Sequence, residues 1–214
     1  MKIVLTFDDG FLSHYHIAKT LWERGIRATF FTPTHERRWS TLARHPRILD
    51  RLIDMGHEVA SHGMYHVDLT ELSLSDLEFQ LRESAKYIID IVGKDVIGLA
   101  YPYGVYDFRV VAVASKYYSY ACGSSLYSWE DPLNISLPRL PYTISRVSVE
   151  NLPSCLALVK KLLMRLLNKR RKTLSEPVVV LCYHSIKNFF THLPFLERIS
   201  GTFTTLYEAF KDII

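Results

Sequence analysis

Residues 5–10 read Leu-Thr-Phe-Asp-Asp-Gly, and this stretch is the best guide to the fold. A short apolar run over residues 2–7 leads directly into two carboxylates and a glycine, as expected of a buried strand that ends in functional groups. Similar β-branched runs recur along the 214 residues and alternate with segments of helical periodicity. This alternation is typical of βα units around a parallel sheet. The sequence therefore predicts an α/β fold that forms one domain over residues 1–214.

The predicted strands and helices follow from hydrophobic periodicity and from cap signals. The strands are expected at residues 2–7, 28–32, 58–61, 98–101, 119–123, 137–142 and 178–183. The helices are expected at residues 16–24, 46–55, 74–92, 106–116 and 152–167. Polar motifs follow four of these strands, and the carboxyl ends of parallel strands meet at one rim. A single functional site at that rim is therefore expected.

Composition narrows the function classes. The chain is 48% hydrophobic and 22% charged, which favours a folded protein, and its formal net charge of +4 is mild. The sequence contains no basic patch interleaved with aromatic residues and no recognised DNA-binding motif, which argues against a nucleic-acid partner. The basic run at residues 169–172 is interpreted as a solvated helix end, with weak support for membrane contact by residues 152–172. Three cysteines without a C-x-x-C spacing suggest reduced thiols. Since residue 2 already begins a strand, we expect a cytoplasmic protein, or one whose leader was removed before this numbering.

A metal site is indicated by a carboxylate doublet and a histidine pair. Asp8 and Asp9 end the first strand, and His62 and His66 lie four residues apart after another. Two imidazoles and one carboxylate hold a divalent cation and leave positions open for water and substrate. The second carboxylate would then act as a base on the bound water. The pattern predicts a metal-dependent hydrolase, although an isolated histidine pair at this spacing also occurs by coincidence on a helix face.

Several motifs in order resemble one known family. They are Thr-Phe-Asp-Asp-Gly at 6–10, Ser-His-x-x-x-His at 61–66, Tyr-Pro-Tyr-Gly at 101–104 and Leu-Cys-Tyr-His at 181–184. Together they resemble the polysaccharide deacetylases with the NodB homology domain, carbohydrate esterase family 4. The resemblance implies a distorted (β/α)7 barrel that removes acetyl groups from N-acetylated amino sugars, in a polymer, an oligosaccharide or a sugar conjugate.

The resemblance also implies a metal-ligand set. Asp9, His62 and His66 match the family's metal ligands. Zinc is the expected ion, and cobalt, manganese and iron remain open because all of them accept two imidazoles and a carboxylate.

Three further residues match catalytic positions of the family. Asp8 matches the general base, His184 the acid that protonates the leaving amine, and Tyr103 the residue whose backbone N–H stabilises the oxyanion. Each has a structural alternative. Asp8 would cap the following helix, His184 would be a buried strand histidine, and Tyr-Pro-Tyr-Gly would be an ordinary turn.

Two positions depart from the family pattern. Many members carry an arginine that orients the base aspartate, where this chain has Ala100. Arg139, in Leu-Pro-Arg-Leu, is a candidate to supply the missing guanidinium to Asp8, because a planar fork suits a carboxylate. Cys182 stands where the family usually has a leucine in its acetyl pocket.

Two other functions stay open on the sequence. One is hydrolysis of cyclic amides, as in relatives whose sites lack the intact aspartate and histidine motifs. The other is a non-catalytic sugar-binding module, which the loss of the motif arginine at Ala100 keeps in consideration. The sequence does not define the acetylated sugar or the oligomeric state.

Overall fold

The computed structural model describes residues 2–95, 97–124, 141–149, 178–198 and 201–212. Within these residues, eight strands form a single parallel sheet. The strands are β1 (Lys2–Phe7), β2 (Thr29–Thr32), β3 (Glu58–Ser61), β4 (Gly98–Ala100), β5 (Tyr120–Ser124), β6 (Ile144–Ser148), β7 (Val178–Tyr183) and β8 (Thr202–Thr204). The helices are α1 (His14–Trp22), α2 (Pro46–Asp54), α3 (Leu74–Val92), α4 (Phe108–Ala114), α5 (Ile186–Leu196) and α6 (Leu206–Phe210).

The sheet closes into a seven-stranded barrel. Strands β2 to β7 follow one another in order, and β1 pairs with both β7 and β2. The pairing with β2 involves only Thr6 and Phe7, at the carboxyl end of β1. The amino end of β1 pairs instead with β8. The predicted distorted (β/α)7 barrel is therefore confirmed. The barrel is distorted because one edge of β1 pairs with β2 at its carboxyl end and with β8 at its amino end.

Two apolar layers stabilise the barrel. Alternate residues of each strand point inward, so β1 contributes Val4 to an interior layer that also contains Phe31 and Tyr120. Leu206 and Phe210 of α6 pack into the same layer from the amino ends of the strands. The larger outer layer lies between the strands and the surrounding helices. Since the amino end is filled by side chains, the carboxyl-terminal rim is left to carry the polar groups.

The helix with the strongest sequence signals forms as predicted. Ser73 caps α3 by accepting a hydrogen bond from the Asp76 amide at 3.2 Å. Gly93 ends the helix with φ 67°, a left-handed conformation that costs glycine little. None of the helices in the described ranges is long and apolar enough to cross a membrane.

The main difference from the sequence prediction is the sixth strand. Residues 141 and 142 form a turn, and β6 begins at Ile144 rather than at residue 137. Residues 137–142 show a stronger apolar strand pattern than Ile144–Ser148, because β6 contains two serines and an arginine. Residues 137–140, the predicted helix at 152–167 and the basic run at 169–172 lie outside the described residues. β8, α5 and α6 were not predicted.

Candidate metal and catalytic site

A left-handed turn after β1 brings two adjacent carboxylates to one site. Neighbouring residues of a strand point to opposite faces, so the backbone must change direction between Asp8 and Asp9. Asp9 has φ 66° and Gly10 has φ 57°. A Cβ at Gly10 would lie 2.2 Å from Oγ1 of Thr32, so only glycine fits there. The local Asp-Asp-Gly sequence thus builds the turn that the site requires.

Asp9, His62 and His66 converge on one point. Oδ1 of Asp9 lies 3.1 Å from Nε2 of His66 and 3.6 Å from Nε2 of His62. One ligand atom from each of the three lies within 4.8 Å of the others. Nδ1 of His62 donates to the carbonyl of Ala100 at 2.7 Å, which leaves the lone pair on Nε2 facing Asp9. Ala100, which stands where many family members have the motif arginine, therefore orients the His62 imidazole through its backbone carbonyl.

The donor set fits a divalent cation. Oδ1 of Asp9 is buried and has no hydrogen-bond partner of suitable geometry among the described residues. Burial by itself raises the pKa of Asp9, but when His62 and His66 are protonated their donation and charge outweigh burial and hold that pKa below its ordinary range. Asp9 is thus an ionised carboxylate whose inner oxygen faces two imidazoles, as in a site with three protein ligands.

Asp8 forms a buried, two-pronged ion pair with Arg146. Nη1 and Nη2 of Arg146 donate to Oδ1 and Oδ2 of Asp8 at 2.6 and 2.7 Å. Nε of the same guanidinium donates to the carbonyl of Gly123 at 3.2 Å, and the group stacks on the ring of Phe31. Burial raises the pKa of Asp8, but the positive charge of Arg146 outweighs it, and the pKa falls well below its usual value. Asp8 is therefore ionised and held in one orientation.

The guanidinium at Asp8 comes from Arg146, whereas the sequence favours Arg139. Arg139 lies outside the described residues, and both carboxylate oxygens of Asp8 already accept from Arg146. Arg146 is missed on the sequence because the predicted sixth strand falls at residues 137–142. A single arginine between the β-branched residues Ile144 and Val147 was the available signal, since arginine is rarely buried without a partner.

His184 lies beside Asp8, and Tyr103 lies beside His66. Nε2 of His184 lies 3.9 Å from Oδ2 of Asp8, and this imidazole is half-exposed. The ring of Tyr103 packs edge-on against His66 at 4.5 Å, and its backbone has φ 58°. His14, which has no role in the family pattern, is buried and donates from Nε2 to the carbonyl of His184 at 3.0 Å.

The side chains of the three-residue metal cluster and those of Asp8, Arg146, His184 and Tyr103 line one cavity of about 290 Å³ at the carboxyl-terminal rim, and His14 does not line it. Its lining also includes Cys182, whose pKa is raised well above the ordinary value by burial. The thiol is therefore neutral, and it presents a small apolar surface beside Asp8. The residues that line the cavity are Asp8, Asp9, His62, His66, Tyr103, Gly104, Arg146, Ser148, Cys182 and His184.

Comparison with known sequences places the chain in a family. The sequence profile described as "Polysaccharide deacetylase" matches residues 1–121, which is more than half of the chain. The chain belongs to this family.

The curated relatives include enzymes with stated substrates. The chain is 31% identical over 111 residues to the peptidoglycan-N-acetylglucosamine deacetylase PgdA of Listeria monocytogenes, covering 51% of this chain and 23% of the relative. It is 27% identical over 162 residues to the chitooligosaccharide deacetylase of Sinorhizobium fredii, covering 74% of this chain and 71% of the relative. The chain spans less than half the length of the first-ranking relatives, 43% of one Geobacillus stearothermophilus protein and 23% of PgdA.

Solved structures share the fold at low sequence identity. The Xyl-CE4 domain of a multidomain xylanase from the hindgut metagenome of Trinervitermes trinervoides superimposes with a TM-score of 0.63 at 22% identity, covering 99% of this chain and 90% of that one. BA3943, described as a CE4 family pseudoenzyme from Bacillus anthracis, gives a TM-score of 0.64 at 17% identity, covering 97% of this chain and 64% of that one. The same barrel thus occurs in a protein described as a pseudoenzyme.

Proposed function

We propose that the protein is a metal-dependent carbohydrate deacetylase, which hydrolyses the acetamido group of an N-acetylated amino sugar. The observation that carries this proposal is the meeting, in one cavity, of a three-ligand cluster and an ionised carboxylate. Oδ2 of Asp8 lies 4.0 Å from Nε2 of ligand His62 and 3.9 Å from Nε2 of His184. Asp8 is therefore positioned between the metal cluster and a second proton-transfer group.

Asp9, His62 and His66 would hold the cation, with zinc as the expected ion. When bound, such an ion lowers the pKa of a coordinated water and polarises a carbonyl oxygen. Asp8 accepts the proton of the attacking water, and Arg146 keeps the carboxylate oriented toward it. The backbone N–H of Tyr103 donates to the oxygen on which negative charge develops.

His184 completes the reaction at the leaving group. As the bond between the acetyl carbon and the amide nitrogen breaks, the imidazolium of His184 donates a proton to that nitrogen. The water oxygen is retained in acetate, and the sugar leaves with a free amine. His184 suits this step because an imidazole can both carry and release a proton, and because it is half-exposed at the edge of the cavity.

The substrate class follows from the relatives as well as from the site. The named relatives act on peptidoglycan N-acetylglucosamine and on chitooligosaccharides, so an N-acetylglucosamine-containing glycan is the proposed substrate. His184 is half-exposed, so the cavity opens to solvent beside this imidazole.

The first test measures acetate released from N-acetylglucosamine oligomers by protein loaded with zinc, cobalt or manganese. Asp8→Asn should lower kcat by about 10²–10⁴-fold, the range that general-base catalysis contributes. Asp50→Asn serves as the matched control, because Asp50 is exposed on α2 and lies outside the cavity lining.

Two outcomes would replace the proposal. Background acetate release with every metal would favour the non-catalytic sugar-binding alternative. Hydrolysis of a cyclic amide such as allantoin, in place of acetate release, would favour the other hydrolase class.

A further inference from the structure

The segment after β2, residues 34–42, lies between the two parts of the chain that carry the metal-ligand candidates. In the barrel, β2 pairs with β1 on one side and with β3 on the other. Asp9 follows β1, whereas His62 and His66 follow β3. The loop after β2 is therefore placed by topology to contact both. We name residues 34–42 the β2 loop.

The β2 loop binds the backbone of the histidine loop directly. The amide of Thr34 donates to the carbonyl of Gly63 at 3.1 Å, and the amide of His35 donates to that of Met64 at 2.8 Å. Gly63 and Met64 lie between the two histidine ligands. These bonds extend the β2–β3 pairing beyond the strands and fix the path of the loop that separates His62 from His66.

Glu36 and Arg38 hold both backbone groups of His66. The amide of His66 donates to Oε2 of Glu36 at 3.2 Å, and Nη2 of Arg38 donates to the carbonyl of His66 at 2.6 Å. Nη2 and Nε of Arg38 also donate to the Glu36 carboxylate at 2.6 and 3.0 Å. The Glu36 side chain is only 4% exposed. A buried carboxylate and its arginine thus clamp one ligand residue.

Trp39 makes the corresponding contact to Asp9. Its Nε1 donates to the carbonyl of Asp9 at 3.0 Å, and Asp9 is a non-glycine residue held in the left-handed region at φ 66°. The indole ring also packs against the imidazole of His66 at 5.8 Å, and the Arg38 guanidinium lies 5.0 Å above it. The same short segment therefore contacts the carboxylate ligand and a histidine ligand. Outer partners of this kind orient ligands and tune the affinity of a site.

We propose that Glu36, Arg38 and Trp39 are positioning residues of the metal centre, which set the relative placement of Asp9 and His66 through their backbones. The inference rests on the proposed metal function of Asp9, His62 and His66. None of the three positioning side chains supplies a ligand atom. They act by making one rigid unit of segments that are 57 residues apart in the chain, from Asp9 to His66. Loss of any of these contacts would allow Asp9 and His66 to separate in the absence of the ion.

The test is the dissociation constant of apoprotein for Zn²⁺, measured by competition with a chelator. Glu36→Gln and Arg38→Ala should weaken Zn²⁺ binding by about 10–100-fold, as removal of such partners typically does. Trp39→Phe keeps an aromatic ring but removes the N–H together with the five-membered part of the indole, and a loss of about tenfold or less is expected. Arg38→Lys should bind more tightly than Arg38→Ala, because one charged donor remains.

Arg37→Ala is the matched control. Arg37 is exposed and its side chain makes no hydrogen bond or ion pair with the residues that the structure describes. The Arg37→Ala variant should have the same dissociation constant for Zn²⁺ as the unchanged protein. The visible absorption of protein saturated with Co²⁺ reports ligand geometry independently of stability. Its band positions should shift in the Glu36, Arg38 and Trp39 variants and remain the same in Arg37→Ala.

Wild-type Zn²⁺ affinity and an unshifted Co²⁺ spectrum in Trp39→Phe and Arg38→Lys would overturn the inference, even if Glu36→Gln fails to fold. Because the measurement does not use acetate release, it separates the two proposals. Tight metal binding without acetate release would contradict the proposed activity and leave the positioning role intact. An altered Zn²⁺ affinity in Arg37→Ala equal to that in Arg38→Ala would overturn the positioning role alone.

Discussion

The two ends of the barrel each bury a carboxylate, and they satisfy it in opposite ways. At the carboxyl-terminal rim, Asp8 is paired with the guanidinium of Arg146. At the amino end, Glu58 of β3 accepts from Thr29 Oγ1 at 2.8 Å, from the amide of Tyr207 at 3.0 Å and from the hydroxyl of Tyr120. These donors are neutral, and no Lys, Arg or His among the described residues forms an ion pair with Glu58.

The difference shows what decides the protonation of a buried acid. Burial raises the pKa at both ends, because the charged form is removed from water. At Asp8 a full positive charge outweighs that effect, and the pKa is lowered. At Glu58 three hydrogen bonds do not outweigh burial, and the pKa is raised. The rim thus holds an ionised group available for chemistry, whereas the amino end joins α6 to the barrel.

Removing the cation at the rim should have the largest effect. Arg146→Met leaves Asp8 buried without its partner, and breaking such a pair costs about 3–5 kcal/mol. The double variant Asp8→Asn with Arg146→Met should recover part of that loss, because no unpaired charge remains. Urea unfolding of the single and double variants measures both free energies. Arg139→Ala is the control, and an equal loss in that variant would show that Arg139 also supports the site.

Removing one neutral donor at the amino end should cost less. Tyr120→Phe deletes the hydroxyl that donates to Glu58 and leaves the ring that fills the barrel. The loss of a hydrogen bond to a buried acceptor is expected to cost about 1–3 kcal/mol. Thermal unfolding measures the change, and acetate release per folded molecule should be unaffected. A loss as large as that of Arg146→Met would contradict the proposed contrast between the two ends.

The smallest expected effect is a change in pH dependence. Because the pKa of Glu58 is raised above its ordinary 4.5, the folded state keeps a proton that the unfolded state has lost. The contribution of Glu58 to stability is therefore present below about pH 4.5 and decreases as the pH rises through the folded pKa. Glu58→Gln should remove this decrease, which unfolding curves from about pH 4 to 8 would show. Asp8 has the opposite sign, since its stabilisation is lost as the pH falls below 3.8 toward its lowered pKa.

Much of the fold was predictable because it depends on local patterns. β1, β3, β7 and α3 have the predicted bounds, since their apolar runs are uninterrupted or their caps are clear. β6 was misplaced because its inward face carries Arg146 between Ile144 and Ser148. A charged residue interrupts the apolar pattern that identifies a strand. Arg146, which pairs with Asp8, is therefore also the reason that β6 was predicted at the wrong place.

The candidate site also contains some residues that the sequence predicts and others that it does not. The Asp8–Asp9–Gly10 turn and the spacing of His62 and His66 are short-range features, so the order of residues along the chain is enough to identify the cluster. The contacts of Glu36, Arg38 and Trp39 had no comparable signal. Charged and aromatic residues in a loop are usually solvated, and their effect on Asp9 and His66 depends on the position of β2 between β1 and β3.

The sequence by itself determined the class of protein through the resemblance of its ordered motifs to a known family. It also determined the residues gathered at the rim, because parallel strands place their carboxyl ends together. Only the tertiary structure decided which cation pairs with Asp8. Arg146 is 138 residues away along the chain and reaches Asp8 across the interior of a closed barrel. The physical reason is that periodicity reports which face of a strand is buried. It does not report which side chains meet inside the barrel, since that depends on closure and register.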